Sequence, residues 1–258
     1  MINKVFNEDC LIGMKRIPDK SVDMILCDLP YGTTANKWDI IIDFEPLWIE
    51  LKRICNDNAN IILTSDGIFT SKLILSNEKW FKYKMIWDKI STTDFLNANK
   101  RPLRQHEDIC IFNSGQGIYN PIMRKGKART KGGKKYANNG CYGDSNETDL
   151  IKYDEYYPTS IVQISNAIQT DKIHSTQKPI ELFEYLLKTF SNENDLVVDM
   201  TMGSGTTAIA CINTKRNYIG FEMDETYHKL ASERIDKHTK EFNCEVGLFA
   251  PEPNKTLF

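Results

Sequence analysis

This sequence lacks the features that would suit it to a membrane, a disulfide framework or a metal centre. No apolar run approaches the ~18–20 residues a helix needs to cross a bilayer. The opening residues, MINKVFNEDC, lack the apolar stretch of a secretory leader. Both absences lead us to expect a soluble, intracellular, cytoplasmic protein with no membrane partner. The seven cysteines, Cys10, Cys27, Cys55, Cys110, Cys141, Cys211 and Cys244, are scattered and odd in number, with no C-x-x-C pair. That pattern fits reduced thiols better than bridges. The four histidines do not cluster, so no metal is expected. An excess of one charge sign is missing too, the formal net charge being −2.

What is present reads as an ordinary globular chain, 41% hydrophobic and 26% charged. Its 258 residues suffice for one large α/β domain with an insertion, or for two small domains. The charge is unevenly spread. Between Ser114 and Gly143 stand seven basic residues, Arg124, Lys125, Lys127, Arg129, Lys131, Lys134 and Lys135, and no acid. The whole chain carries −2, so the rest of it carries −9. A near-neutral total therefore hides a basic segment on an acidic body.

Short apolar runs alternate with amphipathic stretches, the pattern of an α/β fold with a parallel sheet. The runs predict seven strands, at Lys4–Asn7, Val22–Cys27, Asn60–Thr64, Tyr83–Trp87, Ile109–Phe112, Leu196–Asp199 and Tyr218–Glu222. Phe44, Leu47, Trp48, Leu51, Ile54 and Cys55 share one face of a helix. Pro46 lies near its start, where a missing N–H costs little. Ile180, Phe183, Leu187 and Phe190 make a second stripe after Pro179. Tyr227, Leu230, Ala231 and Ile235 make a third. Between about Asn113 and Thr170 the periodicity stops, and that stretch is too long for an ordinary loop. We read it as an insertion with its own role, partly mobile, with a Tyr-rich segment at Tyr153–Tyr157 that either touches bases or fills a small core.

Two motifs carry chemistry. In the first, Val22-Asp23-Met24-Ile25-Leu26-Cys27-Asp28-Leu29-Pro30-Tyr31-Gly32, a buried strand runs into D-L-P-Y-G. Pro30 stiffens the exit and Gly32 permits a sharp turn. A carboxylate, a backbone carbonyl and an aromatic ring are thereby set at a strand end, where they can hold a flat heterocycle bearing an amine. A plain strand followed by a Pro-Gly turn is the competing reading. In the second motif, Leu196-Val197-Val198-Asp199-Met200-Thr201-Met202-Gly203-Ser204-Gly205-Thr206-Thr207, a strand ends in an acid and a G-x-G turn opens a helix whose free N–H groups suit a nucleotide. A P-loop would need Gly-Lys-Ser/Thr, and here Thr206 follows Gly205. A dinucleotide fingerprint would need a third Gly where Ala208 stands, a tolerated variant. A further strand ends at Glu222, about twenty residues on, where a ribose diol would be gripped. By geometry alone this fits NAD as well as S-adenosylmethionine.

Together the motifs resemble those of the DNA amino-methyltransferases. D-L-P-Y is similar to that family's catalytic D/N/S-P/L-P-Y/F/W, and Asp199 to Thr206 is similar to its D-P-F-x-G-S-G-T. Catalytic motif first and cofactor motif last is the order of its β group. His174-Ser175-Thr176-Gln177-Lys178-Pro179 resembles that group's H-P-T-Q-K-P. Asn7-Glu8-Asp9-Cys10-Leu11 with Ser21-Val22-Asp23, Tyr31-Gly32-Thr33 through Lys37-Trp38-Asp39, and His106-Glu107 match as well. Met200-Thr201 departs from the usual Pro-Phe, where the family's Phe packs against the cofactor, and Ser175 replaces a Pro.

The resemblance implies a Rossmann-like S-adenosyl-L-methionine-dependent methyltransferase fold with a mixed seven-stranded sheet, circularly permuted motif order and an inserted target-recognition region. Residues 1–112 would form the catalytic half, 113–170 the insertion, 171–240 the cofactor half and 241–258 a tail. It makes Asp28, Leu29, Pro30 and Tyr31 catalytic. It assigns Asp9, Cys10, Asp28, Lys178, Asp199, Thr201, Gly203, Ser204, Gly205, Thr206, Thr207, Glu222 and Met223 to S-adenosylmethionine. The partner implied is double-stranded DNA, met by the seven Lys and Arg of the insertion, with monomer or homodimer both open. Phage, prophage and restriction–modification methylases are the relatives expected.

Asp at the first tetrapeptide position favours N6 of adenine, because the family's cytosine-N4 enzymes usually carry Ser there. Glutamine-amide methylation of protein uses N-P-P-Y but places the cofactor motif first. A binding module with a dead site is disfavoured by the presence of Asp28, Pro30, Tyr31, Gly203, Gly205 and Glu222, and an oxidoreductase has no use for D-L-P-Y. Trp87 is expected in the core; Trp38 flanks the pocket or packs; His106 and His174 are expected to be structural.

The basic segment yields the first prediction. Replacing several of its Lys and Arg with Gln should weaken duplex binding and flatten its salt dependence, by ~0.9 in log–log slope per lost phosphate contact. Titration at several salt concentrations checks it, and an unchanged slope would make the segment a solvated loop.

Overall fold

The computed structural model describes residues 1–33, 39–133, 148–166, 173 and 177–248. Trp38, Lys134, Lys135, Cys141 and His174 to Thr176 lie outside the described residues. The chain divides into two compact units. One comprises Met1–Asn120 with Ser160–Phe258, the other Pro121–Thr159.

The larger unit is built on a sheet of eight strands. In chain order these are β1 (Lys4–Phe6), β2 (Val22–Asp28), β3 (Cys55–Ser65), β4 (Phe81–Thr93), β5 (Arg104–Phe112), β8 (Ile161–Gln163), β9 (Leu196–Asp199) and β10 (Asn217–Phe221). Their spatial order is β1-β10-β9-β2-β3-β5-β4-β8. From β1 to β3 every neighbouring pair is parallel, and β5 runs against both β3 and β4. All seven strands expected from the apolar runs are in this sheet. The eighth, β8, pairs parallel with β4 through Ile86↔Ile161, Trp87↔Val162 and Asp88↔Gln163. This short strand lies inside the 113–170 stretch read as an insertion, where no period is sustained, so it escaped the periodicity reading. Trp87 Nε1 donates to the Ile164 carbonyl at 2.9 Å and pins it.

The central strands read as continuous apolar runs because both faces are covered. On β2, Val22, Ile25 and Cys27 enter one core, while Met24 and Leu26 enter the other. Helices α2 (Phe44–Ile54) and α3 (Gly67–Ser76) cover the first face, together with the short α1 (Cys10–Gly13). Helices α4 (Ile180–Phe190), α5 (Thr206–Asn213) and α6 (Glu225–Leu248) cover the second. In α2 the side chain of Asp43 caps the start by accepting from Glu45 N, and Leu47, Trp48, Leu51 and Ile54 are buried. Cys55, expected on that helical stripe, is instead extended and opens β3 opposite Val22. Its helical spacing is coincidental, since a buried strand start is apolar for its own reasons. Helix α6 runs through Leu248, into the stretch read as a tail.

The smaller unit contains an antiparallel pair, β6 (Arg124–Gly133) and β7 (Thr148–Tyr156). Tyr153 and Tyr156 pack ring to ring at 5.2 Å, and Tyr156 Oη donates to the Lys127 carbonyl at 2.6 Å. The Arg129 guanidinium lies 5.8 Å from the Tyr156 ring. Arg124, Lys125, Lys127, Arg129 and Lys131 are exposed. Among the described residues neither strand buries an apolar face, and the alternation that betrays a strand is therefore missing. No helix among the described residues is long and apolar enough to cross a membrane.

Helix α1 is packed so closely that a methyl group on Gly13 would overlap the fully buried Phe221 ring. Gly13→Ala should cost about 1–3 kcal/mol through overpacking. Denaturant unfolding measures it directly, and wild-type stability would mean that β10 yields more easily than its burial implies.

Candidate active site

Strands β2 and β9 pair through Met24↔Val197 and Ile25↔Val198. Continuing that register brings Asp28 level with Thr201, just beyond the end of β9. The two are joined there, Thr201 Oγ1 donating to the Asp28 carbonyl at 2.8 Å with Cys27 Sγ 3.0 Å away. The ends of both motifs line one cleft of about 810 Å³.

On the β9 side, Asp199 is buried and its carboxylate takes the Thr201 N–H at 3.0 Å and the Thr207 hydroxyl. Burial pushes its pKa up to about 6, against these hydrogen bonds. Gly203 and Gly205 sit at φ +51° and +79°, where side chains are strained. At Gly203 a Cβ would meet nothing nearer than the Thr201 carbonyl at 3.7 Å, so the space above it belongs to the cleft. Gly205 does not line the cleft, and a Cβ there would press on Ile235 and Ala231 of α6. The remaining residues expected at the cofactor, including Asp9, Cys10, Ser204, Thr206, Thr207 and Met223, do line it. Asp9 caps α1 by accepting from Leu11 N at 2.8 Å. The Cys10 thiol, pushed up to about 12 by burial, is inert. Glu222 accepts Gly203 N–H at 2.8 Å and Asp224 N–H at 2.9 Å, and burial raises its pKa. Glu222 lines the cleft, and each of its oxygens has a further lone pair to offer.

On the β2 side, the turn after Asp28 is held by Asp39, which accepts Gly32 N–H at 2.8 Å and Thr33 N–H at 2.9 Å. Leu29 is buried, and Pro30 and Tyr31 line the cleft. The Tyr31 ring stacks on Phe69 at 5.1 Å. Its hydroxyl lies 2.9 Å from Asp28 Oδ1, which the Thr64 hydroxyl also contacts.

Lys178, expected beside the cofactor, donates to Asp28 Oδ2 at 2.6 Å. Its ammonium also lies 3.3 Å from Glu107 Oε2, and Glu107 Oε1 accepts from Lys89 Nζ at 2.9 Å. Lys178 and Lys89 are buried. Burial opposes the Lys178 charge, but the Asp28 and Glu107 carboxylates overcome it and raise its pKa. Glu107 stays below the ordinary carboxylate range despite burial, because both lysines face it. Sequence reasoning gave no role to Thr64, Lys89 or Glu107. Only the His106-Glu107 match hinted at the last, and an acid or lysine inside a strand carries no signal of its own. His106 is exposed and Trp87 is in the core. Among the described residues no group of His, Cys, Asp or Glu could hold a metal ion.

A family model described as DNA methylase matches residues 22–233. The chain belongs to the DNA methylase family. It is 26% identical to the Type II methyltransferase M1.MboII of Moraxella bovis, over 88% of this chain and 94% of that protein. It is equally identical to M.HinfI of Haemophilus influenzae, over 99% and 76%. Among solved structures, the M1.HpyAVI–SAM complex aligns with a TM-score of 0.63 at 22% identity, covering 90% of this chain and 98% of that one. The cytosine-N4-specific PvuII DNA methyltransferase aligns at 0.65 and 15%, covering 95% and 92%. At such identities the structures establish a shared fold. Family membership makes this DNA methylase a methyl-transferring enzyme and leaves the base open, since the family takes in N6- and N4-directed members.

The residues fit the methyl donor of such enzymes, S-adenosylmethionine. Glu222 follows β10 where a ribose diol would sit, a side-chain-free backbone stands at Gly203, and the buried Asp199 lines the same cleft. Asp199 has a sign that can be tested. Its folded-state pKa of about 6 exceeds the ordinary 3.8, so the folded protein holds this proton more tightly than the unfolded chain. The stabilisation is complete below about 4 and lost as pH rises through about 6. Asp199→Asn should remove that component, so the stability difference from wild type should change by a few kcal/mol between those limits. Urea denaturation across the window tests this, and parallel profiles would mean that Asp199 is not raised.

Proposed function

We propose that this DNA methylase transfers a methyl group from S-adenosylmethionine to N6 of an adenine turned out of double-stranded DNA, as a methylase of restriction–modification type. The observation that carries the reading is the joining of the D-L-P-Y strand end to the G-S-G-T turn, through Thr201 and Asp28, at one cleft. Asp at the first tetrapeptide position supports adenine, and the Type II relatives support the biological setting.

Asp199, Gly203, Glu222 and the residues around them would hold the donor, which when bound supplies an electrophilic methyl on sulfonium sulfur. Asp28 and the Leu29 carbonyl would accept the two amine hydrogens, drawing the nitrogen toward a tetrahedral, more nucleophilic geometry. The amine lone pair forms the N–C bond as the C–S bond breaks, and one amine proton then leaves toward Asp28 or water. Fixed acceptors are poised for the positive charge that develops on nitrogen, and alignment of the two reactants supplies much of the rest. Extruding the base costs ~ a few kcal/mol. Stacking on Tyr31 returns ~1–3 kcal/mol of it. The exposed basic side chains of β6 would meet phosphates, as would Lys134 and Lys135.

The test is incubation with labelled S-adenosylmethionine and mixed-sequence duplex DNA, followed by digestion and identification of the labelled nucleoside. N6-methyladenine is expected; N4-methylcytosine alone would keep the site and overturn the base. Asp28→Ala should abolish transfer while S-adenosylmethionine still raises the melting temperature. Tyr31→Phe should keep measurable activity, because the ring stacks without its hydroxyl. Near-normal turnover by Asp28→Ala would remove the proposed site.

A further inference from the structure

The Asp28–Lys178 pair has spare hydrogen-bonding capacity of a definite kind. An ammonium has three N–H donors. Lys178 donates one to Asp28 Oδ2 at 2.6 Å and forms an ion pair with Glu107 Oε2 at 3.3 Å, and no other described residue accepts from it. A carboxylate offers about four acceptor positions. Asp28 faces the Tyr31 and Thr64 hydroxyls and Lys178, which leaves one. Both groups line the cleft, and Lys178 Nζ lies 5.7 Å from the centroid of the Tyr31 ring on which the base would stack. A ligand entering there meets one acceptor and one donor side by side.

We propose that Lys178 is a specificity-determining residue, donating to the ring nitrogen next to the amine that Asp28 accepts. This deepens the methyl-transfer reading and rests on it. On the Watson–Crick edge, by which turned-out bases are read, adenine and cytosine each carry an amine beside a ring nitrogen with a free lone pair. Guanine and thymine carry a carbonyl beside a ring N–H. Their carbonyl would face the Asp28 carboxylate and their N–H the Lys178 ammonium, leaving both buried charges against like partners. Sites built on buried polar pairs reject a mismatched ligand strongly for that reason.

Glu107 and Lys89 make such a donor possible. A lone buried ammonium would swing to water or lose its proton. Here Glu107, anchored by Lys89 at 2.9 Å, keeps Lys178 charged and inside the cleft. As the base amine takes up Asp28, Lys178 retains Glu107 and turns an N–H to the ring. The two acids and two bases sum to zero, so the exchange strands no charge. A lysine serving only as a counter-ion would be blind to the ring nitrogen.

The experiment replaces one atom of the substrate. The target base is first located by sequencing DNA modified by the wild-type protein. It is then replaced in a synthetic duplex by its 1-deaza analogue if adenine, or its 3-deaza analogue if cytosine. Wild-type kcat/KM should fall ~10- to 100-fold, the range of a hydrogen bond to a charged donor. The analogue also alters the amine's own reactivity, so the deciding quantity is the ratio of rates on natural and deaza duplex in wild type and in Lys178→Met. That ratio should collapse toward its intrinsic value in Lys178→Met, and partly in Glu107→Gln, which serves if the first variant fails to fold. Equal wild-type rates on both duplexes, or an unchanged ratio in the variants, would overturn the role of Lys178 and leave methyl transfer standing. A wild-type protein that methylates no DNA would overturn the reading beneath it as well.

Discussion

The parallel pairing of β2 with β9 is the constraint on which the site depends. Strands paired in parallel present their carboxyl ends along one edge, and Asp28 and Thr201 lie on or just past that edge. From β2 the chain crosses to β3 by way of α2 on one face of the sheet. From β9 it crosses to β10 by way of α5 on the other. The two connections diverge, and a crevice opens where strand order reverses. The motifs are separated by 173 residues between Asp28 and Thr201, yet a pairing of two residue positions brings them together. Permuting the order of the two halves along the chain leaves this arrangement intact, because the sheet registers neighbours in space and not in sequence.

A crevice of that kind gathers charge, and charge out of water has to be balanced. Here Asp28, Lys178, Glu107 and Lys89 alternate in sign and line the same cleft as the Asp199 and Glu222 carboxylates. Removing any one member leaves its neighbour unpaired in a low-dielectric site, which is far more costly than the net worth of the pair. Tyr31 belongs to the same balance. Burial and then the nearby Asp28 and Glu107 carboxylates raise its phenol well above the ordinary range, so it stays a neutral donor beside Asp28. The wall is therefore preorganised before any substrate arrives, and preorganisation lets fixed groups act without rearranging at the moment of reaction.

Much of this was legible in the sequence, and what was not follows a pattern. The central strands β2, β3 and β9 show because burial on both faces makes them continuous apolar runs, while the part-buried β1 and β4 show through shorter apolar stretches. The two motif turns show because Pro30, Gly32, Gly203 and Gly205 mark backbone that other residues resist. The β6–β7 pair did not show, because neither of its faces is buried and nothing forces the residues to alternate. Strand β8 is short and lies in a stretch without sustained period. Lys178 was found, but its pairing with Asp28 and Glu107 was not, since a motif orders residues along the chain and says little about which neighbour a long side chain reaches. Lys89 and Glu107 lie inside strands as single charges, and only their meeting across the β4–β5 pairing gives them meaning.

The substitution of Thr201 for the family's Phe reads differently once its contacts are known. In sequence it is a loss, since a threonine offers the cofactor less surface than an aromatic ring. In the structure its hydroxyl donates to the Asp28 carbonyl and lies against Cys27, while its N–H donates to Asp199. One residue thus fixes the last peptide of the catalytic strand and the acid of the cofactor strand together. A buried hydroxyl donating to a carbonyl contributes about 1 kcal/mol net. Its larger effect is geometric: the carbonyl it holds belongs to the peptide that sets the direction of the Asp28 side chain. What is given up in packing against the proposed donor is offset by a direct tie between the group proposed to hold the amine and the strand proposed to hold the methyl donor. The reacting atoms must meet within a few tenths of an ångström of alignment, and a tie between their supports serves that requirement better than an equal free energy spent on either support alone.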